Sequence, residues 1–162
     1  MEHRVCTREV RIPEDSEFLL SLYASTRERD LALFGFTGAE AGAFVRMQFS
    51  AQDLHYRKHY PDATHTVITL GDALAGRVVL DRSGGEILVV DLALLPAFRR
   101  AGLGTAVVRR LIDEADATGR LIRCHVEQDN EARGFWERLG FGARGVDGVH
   151  VVMERACETS HR

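Results

Sequence analysis

Cysteine is scarce in this chain, with three in 162 residues at positions 6, 124 and 157. They are too few and too scattered for a disulfide framework, and none forms the Cys-x-x-Cys pair of a thiolate zinc site. Such usage suits a reducing compartment, so the expectation is a cytoplasmic protein. An excess of charge of one sign is also missing. Lys and Arg number 21 against 24 Asp and Glu, a formal net charge of -3. No global field draws the chain to nucleic acid or to an anionic membrane, and neither is expected as a partner. No long hydrophobic run is present. The longest, Ile87 to Pro96, is broken by Asp91 and is too short to span a bilayer. Met1 to Arg11 is polar and charged and lacks the apolar centre of a signal peptide. No repeat, low-complexity segment or linker divides the chain. What remains is 45% apolar and 28% charged residues, the balance of a globular protein. The length suffices for a core without metal or disulfide staples, and one domain over 1–162 is expected.

The pattern reads as a mixed α/β chain. Cys6 to Ile12 is a strand ended by Pro13. Glu14 to about Ala32 carries Phe18, Leu19, Leu22 and Tyr23 at helical spacing. A second helix runs from about Ala39 to His59 and stops at Pro61. Thr64 to Leu70 and Ala75 to Asp81 are strands bounded by glycine turns. Glu86 to Leu95 is a near-continuous apolar strand, as at a sheet centre covered on both faces. Leu103, Val107, Leu111, Ile112 and Ala115 form the stripe of a third helix, with Gly119 at its end. A strand at Leu121 to Glu127, a short helix at Glu131 to Leu139, and a hairpin of Phe141 to Ala143 and Val149 to Glu154 complete the chain. The order is not a regular βαβ alternation.

The chemistry concentrates in Leu94-Leu95-Pro96-Ala97-Phe98-Arg99-Arg100-Ala101-Gly102-Leu103-Gly104-Thr105. A central strand ends at a proline, a turn with two arginines and two glycines follows, and a long amphipathic helix begins. A helix start leaves about four backbone N–H groups unpaired and a partial positive charge. Gly102 and Gly104 carry no side chain to hold an anion away from them. A pyrophosphate fits such a place, with charge-assisted contacts from Arg99 and Arg100. A plain strand-to-helix turn that needs flexible glycines is the alternative. A Walker loop is excluded, because no Gly-Lys-Ser/Thr occurs. A dinucleotide fingerprint needs a third glycine where Val107 stands.

Arg99-x-x-Gly102-x-Gly104 behind Leu94-Leu95-Pro96 resembles the acetyl-CoA signature of the GNAT superfamily of N-acetyltransferases. Val126-Glu127-Gln128-Asp129-Asn130-Glu131-Ala132 followed by Phe135-Trp136-Glu137-Arg138-Leu139-Gly140-Phe141 resembles that superfamily's second motif. The resemblance implies an α/β fold, a single GNAT-like domain with a mixed central sheet of about seven strands. It implies a splay between the fourth and fifth strands, and about four flanking helices. It implies acetyl-CoA as co-substrate, no metal, and a primary amine of a small molecule or peptide as acceptor. By the same resemblance Leu92 and Leu94 offer backbone groups to the pantetheine amides. Arg99, Arg100, Ala101, Gly102, Leu103, Gly104 and Thr105 wrap the pyrophosphate. Asn130, or Asp129, meets the pantetheine arm. Trp136 stands where the family usually has the tyrosine that protonates the departing thiolate. An indole N–H has no useful proton-transfer pKa, which leaves the general acid open.

An ammonium acceptor with a pKa near 10 is neutral in roughly one molecule per thousand at pH 7, so a base is expected. His125, just before the second motif, has an intrinsic pKa near 6.5 that suits the task. Asp91, a lone carboxylate in an apolar strand, is the second candidate, unless it binds a backbone amide at a bulge. Glu86 is the third. Gln52, His55 and Tyr56 fall where the family often forms its acceptor wall. His55 and His59 share a helix face but have no third ligand at matching spacing. A non-catalytic acyl-CoA-binding or sensing domain is the rival reading, and whether the chain acts as monomer or homodimer is left open.

Overall fold

The computed structural model describes residues 4–128 and 131–158. The chain runs β1 (Val5–Glu9), α1 (Ser16–Thr26), α2 (Glu28–Phe34), α3 (Gly38–His59), β2 (Thr64–Leu70), β3 (Ala73–Asp81) and β4 (Ile87–Leu94). A 3-10 turn at Pro96–Phe98 leads to α4 (Leu103–Thr118), β5 (Ile122–Glu127), α5 (Ala132–Arg138), β6 (Gly142–Asp147) and β7 (His150–Arg155). The first helical segment is two helices: Arg27 leaves helical geometry at φ -110°, ψ 6°, and α2 ends on left-handed Gly35.

The seven strands form one sheet in the order β1-β2-β3-β4-β5-β7-β6. Every neighbouring pair is antiparallel except β4 and β5, which run parallel. That parallel pair is joined only at Ile87–Ile122, Leu88–Arg123 and Val89–Cys124. β4 continues to Leu94 and β5 to Glu127 without pairing to each other, so the sheet splays at its centre.

Alternation decides the two faces. Ile68, Val78, Leu80, Ile87, Val89, Ile122, Cys124, Val126 and Met153 face a core built with Val107, Val108, Leu111 and Ala115 of α4 and Trp136 of α5. Arg110 of α4 donates to the Val5 carbonyl of β1 at 2.5 Å, and ion pairs tie the helix at two further places. Arg82, just past β3, makes a two-point pair with Glu114 at 2.7 and 2.9 Å, and Arg155 of β7 reaches Asp116 at 3.0 Å. The other face carries α1 and α3. Leu19, Leu22 and Tyr23 of α1 are buried there, and Tyr23 meets Phe49 of α3 at 5.5 Å.

The register of β3 against β4 jumps from Val79–Asp91 to Leu80–Val89, leaving Val90 as a bulge. Ile87 and Val89 face the α4 side before the bulge, and Leu92 and Leu94 pack against that same core after it. Asp91 is thereby turned to the α3 side, where Arg77 meets it.

Candidate active site

The turn between β4 and α4 is built as an exposed cradle. Arg100 and Gly102 are both left-handed, at φ 61° and 82°. A side chain on Gly102 would meet nothing within 4 Å, so its glycine is needed for backbone conformation. The first α4 amide with a helical partner is that of Ala106, which donates to the Gly102 carbonyl at 3.0 Å. The amides of Leu103, Gly104 and Thr105 precede it and are left for an external acceptor. No side chain caps this helix start. The Leu103 side chain goes into the core, while Arg99, Arg100 and Ala101 are exposed around the turn.

Gly104 is buried where α4 meets α5. A Cβ there would lie 3.4 Å from the Phe135 ring and 3.7 Å from Leu94. A methyl there would sit in ordinary contact, and a longer side chain would meet the Phe135 ring of α5.

The splay edge follows from the ladder. The Leu95 amide donates to the Ala75 carbonyl at 2.8 Å, which makes Ala75–Leu95 a hydrogen-bonded pair. Counting along the register, Arg77–Ala93 and Val79–Asp91 are hydrogen-bonded pairs too. Gly76–Leu94 and Val78–Leu92 are the pairs between, so the backbone groups of Leu92 and Leu94 turn toward β5, where pairing has stopped. The Leu94 carbonyl is taken by Arg99, whose Nε donates at 3.0 Å. Arg99 is thus first a clamp between strand and turn.

The three base candidates stand on the face away from α4, in different company. His125 is exposed on β5 and lines a shallow groove of about 300 Å³ with Glu86, Leu88, Arg123, Val152 and Glu154. It is the residue after Cys124, the last residue of β5 paired with β4. Glu86 precedes the paired end of β4. Its carboxylate accepts from Arg123 Nη1 at 2.8 Å, and Arg123 also holds Glu154 at 2.8 Å. Asp91 stands two residues past Val89, at the opening of the splay. It is bonded through Oδ2 to Arg77 Nε at 3.1 Å and also to Nη2.

Arg77 was not legible as a site residue, although the signal exists: one cation within the apolar run Ala73 to Leu80, beside a strand with one anion. It is 5% exposed and is held by Asp91, by the Gln52 amide oxygen at 2.8 Å, and between the rings of Phe49 and Tyr56. Burial, then the charge of Asp91, push the Tyr56 phenol well above its ordinary value. Gln52 and Tyr56 thus buttress Arg77, while His55 is exposed and stacks on His59 at 4.1 Å.

Trp136, expected at the cofactor, is instead a core residue. It is 5% exposed and packs edge-on to Phe135 and Phe141 at 5.2 and 5.0 Å. The motif's aromatic position has been absorbed into the packing between α5 and β6. Asn130 and Asp129 lie outside the described residues. Cys124 is buried on the core side, and burial raises its thiol to about 12. Among the described residues, no group of three or more His, Cys, Asp or Glu is placed to hold a metal ion. No described helix is long and apolar enough to cross a membrane.

Comparison with known proteins agrees with this fold. Residues 29–141, well over half of the chain, match the family described as Acetyltransferase (GNAT) family. No curated protein matches the sequence. Among solved structures, the fold is similar to the PaiA N-acetyltransferase of Thermoplasma acidophilum in complex with coenzyme A. The TM-score is 0.71 at 19% identity, over 94% of this chain and 99% of that one. An acetyltransferase from Thermus thermophilus gives 0.69 at 20% identity, over 96% and 99% of the two chains. The ribosomal-protein-S18-alanine N-acetyltransferase of Escherichia coli gives 0.62 at 16% identity, over 98% and 97%.

Proposed function

Because the chain belongs to the GNAT family of acetyltransferases, we propose that it moves an acetyl group from acetyl-CoA directly to a primary amine of a small molecule or peptide. The single observation that carries this reading is the splay joined to the cradle. The backbone groups of Leu92 and the amide of Leu94 line one edge where pairing with β5 has stopped, and the amides of Leu103, Gly104 and Thr105 stand at its end.

The residues fit the cofactor in character. The α4 amides and the exposed Arg100 offer donors and positive charge to a pyrophosphate. The open β4 edge offers strand-like hydrogen bonds to an extended amide arm. The bound thioester supplies the activated acetyl group. An amide in the Leu92 to Leu94 stretch faces the gap and stabilises negative charge on the carbonyl oxygen. His125, exposed beside the splay, takes the proton from the acceptor amine, directly or through water. Cys124 supports attack without a covalent enzyme intermediate, since a thiol held near 12 and facing the core supplies almost no thiolate at neutral pH. With Trp136 in the core, the CoA thiolate departs without a phenol, which a thiol pKa near 8.5 allows.

The test is release of CoA from acetyl-CoA with a panel of amines, paired with thermal unfolding. A ligand present at about 100 times its dissociation constant adds roughly 2.7 kcal/mol to the native state. An unchanged melting temperature at millimolar acetyl-CoA overturns the reading. A clear shift with no turnover on any amine moves it to the non-catalytic CoA-binding domain.

A further inference from the structure

α3 carries apolar residues on two faces. On its inner face Val45 is buried, Phe49 meets Tyr23 of α1, and Gln52 and Tyr56 hold Arg77. Its outer face presents Phe44, Met47, Ala51 and Leu54. Met47 is 60% and Leu54 69% exposed, Ala51 is exposed, and Phe44 is half-buried. At 3.6 residues per turn these four fall within an arc of about 80°, centred roughly 150° from the inner four. The Phe34 ring of α2 stands 6.1 Å from that of Phe44, and it extends the patch with the exposed Leu33. The solvent side of a helix is ordinarily polar, and a contiguous apolar patch there marks a contact surface.

Charge bounds this seam. Glu40 lies one turn before Phe44 and Lys58 one turn after Leu54, so positions 40, 44, 47, 51, 54 and 58 recur at intervals of four, three, four, three and four. Such intervals are those of helices packed side by side. The series also reads the same in both directions. A second α3 laid antiparallel, with a two-fold axis at the level of Phe49, sets Phe44 opposite the partner's Leu54, Met47 opposite the partner's Ala51, and Glu40 opposite the partner's Lys58, each twice. A long side chain then meets a short one at the centre, acid meets base at both ends, and the helix dipoles oppose. A parallel copy would set Glu40 on Glu40 and Lys58 on Lys58. Neither residue is in an ion pair among the described residues, whereas the neighbouring Arg57 is held by Asp53.

We propose that the outer face of α3 is a self-association surface, and that its occupant is α3 of a second copy of this chain, packed antiparallel. Phe44, Met47, Ala51 and Leu54 form the dry centre, and the Glu40–Lys58 pairs close its two ends. A contact of this extent is at the small end of specific interfaces, so a dissociation constant on the order of ten micromolar is expected. The seam faces away from Gln52 and Tyr56, and each copy keeps its own cradle. Association therefore neither needs nor supplies the cofactor.

Sedimentation velocity of the full chain, from about 1 µM to 1 mM, should show a reversible monomer–dimer equilibrium. Leu54→Glu, at a position exposed in the monomer, should keep the fold and weaken association by about tenfold or more. Glu40→Lys and Lys58→Glu each put like charges at both ends of the seam, and each should weaken it by about tenfold. Mixed one to one, these two variants restore opposite charges at both ends, and association should return. Thermal unfolding of each variant verifies that it is native. A chain that stays monomeric to about 1 mM would leave the outer face to a different partner and overturn the proposal. So would an undiminished dimer in Leu54→Glu, or charge variants that do not associate when mixed. The readout is mass, so failure of the acetyl-transfer reading would leave this surface standing.

Discussion

His125 and Asp91 differ in what already occupies them. His125 is exposed and free to meet an acceptor, whereas Asp91 is held by Arg77 through one oxygen. His125→Ala is therefore expected to lower turnover by about 100-fold, with the loss easing toward pH 9 as free amine accumulates. Asp91→Asn should act more on the fit of Arg77 than on the pH profile. Cys124→Ala should leave turnover within about threefold, or about 0.7 kcal/mol of barrier. Steady-state rates from pH 6 to 9 check all three, and wild-type turnover by His125→Ala across that range would remove it as the base. Sequence patterning was enough to single out Asp91 as a carboxylate needing an explanation. It did not reveal the explanation, because Arg77 lies 14 positions away and becomes its neighbour only through the β3–β4 register.

Among the elements, α5 shows where motif reading and packing part. The position after Phe135 has the spacing of a proton donor in the family, but packing around Phe141 has drawn its indole inward. Trp136→Ala should cost about 3–5 kcal/mol in urea unfolding, as for other large-to-small core changes. Trp136→Phe should cost less and keep turnover within about tenfold. A folded Trp136→Phe variant with turnover lost would mean that the indole acts on the thioester. The amphipathic stripe of α4 was legible because its apolar residues recur at helical spacing, and Leu103, Val107, Leu111 and Ala115 are buried as expected. The faces of β4 were not, because one extra residue at Val90 shifts the alternation and leaves no compositional mark. The break between α1 and α2 was also hidden, since Arg27 carries no glycine or proline signal. The turn and helix start at Gly102 were legible from the glycines, while the neighbour of Gly104, Phe135, comes from another element and was not.

For the molecule as a whole, acid should loosen the start of the chain first. Asp15 is 2% exposed, takes both Arg8 amino groups at 2.8 and 2.9 Å, and accepts the Arg11 amide at 2.7 Å. The Arg8 hydrogen bonds hold its carboxyl down at about 2. An unfolded aspartate has a pKa near 3.9, so the unfolded chain takes the proton first as pH falls. The contribution, about 1–2 kcal/mol, is complete above roughly pH 5 and is lost on acidification toward pH 2. Unfolding free energy measured from pH 7 to 2 should show this slope, and Asp15→Asn should flatten it at the cost of lower stability near neutrality. An unchanged slope in that variant would place the acid sensitivity elsewhere.

The brevity of the β4–β5 pairing has a mechanical side. Residues 5–94 supply four strands and residues 122–155 supply three, and the strand ladder between the two panels has three residue pairs among the described residues. Any ligand strung between them acts as mortar in that seam. Amide hydrogen exchange should record it: with coenzyme A bound, Leu92, Leu94 and the far end of β5 should slow together, as should the start of α4. The interior of β3, already laced on both sides, should hardly change. Slowing confined to the α4 turn would mean that the seam stays open and that the cofactor leans on one panel only.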